Sequence, residues 1–193
     1  MSRVVRGLRS PAFDRLTPVK WGFAPSFCLL LLTASCALAS FAFACATPFA
    51  AFAVVAAAML PLPAALAVTT AVWIVNQAIG FGALGYPHDL NAVFWGLAIG
   101  AAALTATVAA KLMLRAVAQF GKAAAFGLAI FGAYAAYELV LFAPTPVLGG
   151  AGAFTPSIVG RLGSLNLLWL IGLLAICEIV RLLAVTRRRH SLS

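Results

Sequence analysis

The side chains best suited to specific chemistry gather in one stretch, Ala71 to Trp95. It sets an amide pair, Asn76 and Gln77, inside an apolar run, and passes through Gly80, Gly82 and Gly85. It then reaches Tyr86-Pro87-His88-Asp89 and re-enters apolar sequence through Asn91 and Trp95. A second group, Tyr134, Tyr137 and Glu138, lies in a later apolar run. Tyr134 and Glu138 are four apart and share a helix face. Polar groups at membrane depth are costly unless paired, so they raise a functional-site hypothesis.

His88 is the histidine outside the C-terminal tail, and imidazole is the commonest transition-metal ligand. One histidine does not make a free-metal site, which needs three or four ligands. It can supply one axial ligand to a metal already held in a macrocycle. Cys45, at the end of the first apolar run, is a second, weaker candidate for that position. Each residue also has a plain structural role open to it. Asn76 and Gln77 can tie neighbouring helices together. Tyr86 and Trp95 suit a membrane interface. Asp89 can cap the helix that follows.

Composition says where these groups sit. Of 193 residues, 64% are hydrophobic and only 9% are charged. Soluble domains carry about 25% charged residues, so a water-facing surface cannot be built here. The net charge of +9 is concentrated at the ends, with Arg3, Arg6, Arg9, Arg15 and Lys20 before the first apolar run and Arg187, Arg188 and Arg189 after the last. Those are membrane flanks obeying the positive-inside rule, which argues against nucleic acid as a partner. The four cysteines, Cys28, Cys36, Cys45 and Cys177, show no metal or disulfide spacing. The first apolar run is about twenty residues long, which predicts a retained helix rather than a cleaved signal peptide.

The pattern predicts an all-α integral membrane bundle of six transmembrane helices, over 24–45, 49–60, 64–84, 91–117, 123–142 and 164–185. The second is short for a full span; it either tilts or continues through the kink at Pro61-Leu62-Pro63. A basic tail (1–20) precedes this membrane domain (21–186), and a basic tail (187–193) follows it. Six crossings put both termini in the cytoplasm. Of the 13 basic residues, only Arg161, in a long Pro/Gly-rich loop over 143–163, then falls outside. On that topology Asn76, Gln77, Tyr86, His88, Asp89, Asn91, Trp95, Tyr134, Tyr137 and Glu138 converge on the outer side. This describes an outward-facing pocket, not a relay, which would spread ionisable groups through the full depth. Glu178 and Arg181, three apart, are expected to pair with each other.

Six helices in under two hundred residues, both ends inside, short inner turns and an outer pocket resemble the substrate-binding subunits of energy-coupling-factor vitamin transporters. In size and topology the chain is similar to the small solitary vitamin B12 transporters of that group. Asn76-Gln77, Tyr86, His88 and Asp89 are the residues that suggest a corrinoid. In those transporters a cysteine near the third helix can coordinate cobalt; here Gly80, Gly82 and His88 occupy that region, with His88 as the substitute. The resemblance implies a multi-pass protein of the bacterial inner membrane that binds a vitamin-sized solute, cobalamin or a related corrinoid. The chain has no ATP-binding motif, so energy comes from a partner ATPase module or from a downhill gradient. No cofactor of its own is expected, and its partners are lipid, the solute and that module. The competing reading is a structural or assembly subunit of a larger membrane complex, docking through its small-residue faces. An enzyme is not expected, since neither H-E-x-x-H nor G-x-S-x-G occurs.

Overall fold

A computed structural model describes residues 23–43 and 46–190, and every regular element among them is helical. The tail 1–20 and Cys45 lie outside the described residues. Five helices are long and apolar enough to cross a membrane: α1 (Ala24–Phe43), α3 (Leu62–Ala78, prolonged by a π turn at Ile79–Ala83), α4 (Leu90–Ala116), α5 (Lys122–Phe142) and α7 (Pro156–His190). Between α1 and α3 stands α2 (Phe49–Met59), of 11 residues, and between α5 and α7 the single turn α6 (Thr145–Leu148). The chain is therefore a multi-pass membrane protein. Large apolar side chains on the long helices, among them Leu30, Phe41, Phe131, Leu139 and Leu168, point outwards as a lipid-facing coat requires.

At about 1.5 Å per residue, α2 reaches roughly 16 Å, half of a hydrocarbon core about 30 Å thick. It is apolar all round, and a helix of that kind belongs inside. All of it but Ala58 is buried, packed against α1, α3, α4, α5 and α7. Six alanines let those five backbones come close. Pro61 ends it by forcing Leu60 into extended geometry, with ψ of 153°. Of the two alternatives open from sequence, continuation through the kink does not occur, because a separate helix, α3, starts at Leu62.

A helix ending inside a bundle leaves unpaired N–H groups at one end and unpaired carbonyls at the other. Here other helices supply the partners. At the start of α2, the Ala51 N–H donates to Asn166 Oδ1 of α7 (3.2 Å). At its end, Lys111 Nζ of α4 donates to the carbonyls of Ala57 and Leu60, 2.7 Å each. The ammonium also complements the negative end of the α2 dipole.

The long helices are fastened by small residues and single hydrogen bonds. Gly96 and Gly100 of α4 receive Gln77 and Trp73 of α3, one turn apart on each side. Trp73 Nε1 donates to the Gly96 carbonyl (2.9 Å), and Thr69 meets Thr107 (3.0 Å). Trp169 Nε1 of α7 donates to Ser35 Oγ of α1 (2.6 Å). Arg181 and Glu178 form the expected ion pair. The last helix starts at Pro156, not 164. Proline is favoured in a first helical turn, and Thr155 caps it, its carbonyl accepting from the Val159 N–H (2.9 Å). Arg161 thus sits on α7 rather than in a loop, and Asn166 lies three turns into the helix.

Two expected outcomes follow from this packing. Lys111→Met strands two buried carbonyls and should lower unfolding stability in detergent by about 1–3 kcal/mol. Gly100→Ala places a Cβ 2.7 Å from the Trp73 ring and should destabilise, whereas Gly127→Ala, with open space around it, should not. Thermal or denaturant unfolding of the purified variants reads both.

Candidate functional site

Beside the N-terminal end of α2, the helices α4, α5 and α7 leave a space. Each lines it with residues one turn apart, which fall on one face. These are Trp95 and Ile99 on α4, Tyr137, Glu138 and Leu141 on α5, and Ile158, Leu162 and Asn166 on α7. Ala46 and Thr47, leading into α2, form its floor. Gly150, Ala153 and Phe154 cover it. The cavity holds about 300 Å³.

The cover is a short irregular strap, α6 followed by a 3-10 turn at Ala151–Phe154. Gly149 and Gly150 between them have φ of 82° and 84°, which favours glycine at both positions. Asn91 Nδ2 holds the strap through the Leu148 carbonyl (3.1 Å). The Phe154 ring meets Phe142 edge-on, with centroids 5.2 Å apart. Trp95 lies so close under Gly150 that a Cβ there would stand 3.3 Å from its ring.

Glu138 is the ionisable side chain of the lining. It is partly buried, and its hydrogen-bond neighbour is Tyr134, one turn back on α5. The Tyr134 hydroxyl donates to the Val159 carbonyl of α7 (2.7 Å), and its ring fills the space that Gly163 leaves. Tyr137 stacks on Phe49, the first residue of α2, with centroids 6.2 Å apart. Asn166 is fully engaged in structure as well: besides capping α2, its Nδ2 donates to the Leu162 carbonyl (3.0 Å).

The ten residues singled out from sequence divide into three places. Trp95, Tyr137 and Glu138 line the cavity, with Tyr134 beside them and Asn91 holding the cover. Asn76 and Gln77 form a tie between α1, α3 and the α1–α2 link. Asn76 Nδ2 donates to Ser40 Oγ and Thr47 Oγ1, 3.0 Å each, and Gln77 Nε2 donates to Asn76 Oδ1 (3.0 Å). They touch the cavity only through Thr47. Tyr86, His88 and Asp89 stay in the α3–α4 connection. Tyr86 folds against Gly80, His88 is exposed with its ring 5.5 Å from Phe81, and Asp89 accepts from the Ala92 N–H (2.7 Å) as the N-cap of α4. Among the described residues no three His, Cys, Asp or Glu side chains gather as a metal-binding group. Thr47, Phe154, Ile158 and Leu162 were not foreseen. The Gly149-Gly150 pair and the four-residue spacing of Ile158, Leu162 and Asn166 are the signals that could have located them.

Family models, curated proteins and solved structures give no match to this chain.

Removing a cap should be felt where removing an exposed loop side chain is not. Asn166→Leu should cost about 1–2 kcal/mol of unfolding stability. His88→Ala should stay within about 0.5 kcal/mol. Parallel unfolding of the two variants in one detergent checks the contrast.

Proposed function

We propose that the chain is a solute-binding protein of the bacterial inner membrane, serving uptake, with its site in the cavity beyond the N-terminal end of α2. The observation that carries this reading is the cavity itself. Three membrane-length helices line it with aromatic, aliphatic and a few polar groups, and a separate strap covers it. Small-molecule sites have this character, with volumes of about 300–1,000 Å³. At about 300 Å³ this one suits a compact solute at the small end of that range. The similarity to vitamin-transporter subunits supports the same class of function, with energy from a partner module or from a gradient.

A corrinoid is several times larger than the cavity, and His88, its candidate axial ligand, faces solvent outside it. The solute that fits this cavity is smaller than cobalamin. A strap held by the side-chain hydrogen bonds of Thr145 and Asn91 and by the contacts of Phe154 with Phe142 and Gly150 with Trp95 supports entry from its side of the bundle.

Native mass spectrometry with a visible absorption scan tests this, on full-length protein purified in detergent from cells given cobalamin. The expected result is a small bound molecule that is lost in Ala153→Trp, whose indole fills the cavity. A retained corrinoid whose spectrum changes in His88→Ala would move the site to the α3–α4 connection. Clean protein that emerges with a stoichiometric partner complex and no ligand would replace uptake with the assembly-subunit reading.

A further inference from the structure

The cavity's chemistry narrows the class of solute. This step rests on the cavity being a solute site. Among the described residues its lining carries one carboxyl group, Glu138, and no lysine, arginine or histidine. Among the described residues the one ion pair is Arg181 with Glu178, and none of them sets a cationic side chain against Glu138. Its hydrogen-bond neighbour is the uncharged Tyr134, whose hydroxyl also lies 2.7 Å from the Val159 carbonyl. A carboxylate drawn from water into a membrane bundle is costly unless a positive charge meets it. Trp95, Tyr137 and Phe154 line the same cavity, and aromatic faces attract cations.

We infer that the cavity takes a small organic cation, an amine or quaternary ammonium on an apolar body, with Glu138 as its counter-ion and Trp95, Tyr137 and Phe154 as its walls. The competing class is an anion drawn to the start of α2. That helix end carries only about half an elementary charge, felt within its first turn. Asn166 already accepts from Ala51 there, and the lining offers an anion no cationic side chain. The carboxyl of Glu138, once ionised opposite a cation, outweighs that half charge, so the lining is built for a positive ligand.

Isothermal titration of the full-length protein in nanodiscs decides it with three probes of one shape class. These are benzyltrimethylammonium, its uncharged carbon isostere neopentylbenzene, and benzoate. The expected result is saturable binding of the ammonium, lost in Ala153→Trp. In Glu138→Gln it should weaken by roughly tenfold or more. Glu138→Asp, which keeps the charge, should stay within about threefold of the native affinity. Equal binding of neopentylbenzene, stronger binding of benzoate, or undiminished binding in Glu138→Gln would overturn the cation class. If those bindings are still lost in Ala153→Trp, the cavity remains a solute site of another class. Binding of none of the three overturns both the class and the solute-site reading.

Discussion

The structure depends on satisfying the two ends of a half-length helix inside a membrane bundle. Hydrocarbon offers a stranded N–H or carbonyl nothing. α2 nevertheless stops at both ends among other helices, and two side chains from distant sequence make that possible. Asn166 stands 115 residues from the amide it accepts, and Lys111 more than fifty from the carbonyls it meets. Each contact therefore fixes a helix as well as an end: α7 at the start of α2, α4 at its close. The charged Lys111 is tolerated at membrane depth because two carbonyls and the helix dipole receive it.

The shortness of α2 also explains the cavity. Five full-length helices around a half-length core element leave the other half of that core unfilled on one side. Aromatic residues fill part of it, and the strap from Thr145 to Phe154 covers part of its mouth. The polar groups then sort by how completely they are used. Asn76, Gln77, Thr47 and Asn166 spend their hydrogen bonds on holding α1, α2, α3 and α7 together. Glu138 is left as the lining carboxyl with no cationic side chain against it among the described residues.

Much of the scaffold was legible from hydrophobic runs and proline positions. The five long helices fall close to where those features put them, since length and apolarity are what a membrane demands of a span. The start of α7 was not, because glycines at 160 and 163 read as loop while the helix simply carries them, Gly163 making room for the Tyr134 ring. The site was half legible. Trp95, Tyr137 and Glu138 stand out as polar or aromatic groups in apolar runs, and they do meet. Asn76, Gln77 and His88 stand out for the same reason, yet composition cannot tell an amide that joins helices from one that faces a ligand. That difference lies in whether Ser40 and Thr47 are within reach, and contacts spanning 36 and 29 residues leave no local signature.

The cavity and the core element are one mechanical unit. Tyr137 lines the space and stacks on Phe49, the residue that opens α2. Thr47, two residues earlier, is both the cavity floor and an acceptor for Asn76. Asn166 lines the space and caps the helix. Close-packed interiors do not deform smoothly, so a ring moved by an occupant must be accommodated by its neighbours. Here those neighbours are the first turn of α2 and the α1–α3 tie, while Lys111 holds the far end of the same helix. The cavity lining is thus continuous with the first turn of α2, which touches all five membrane-length helices.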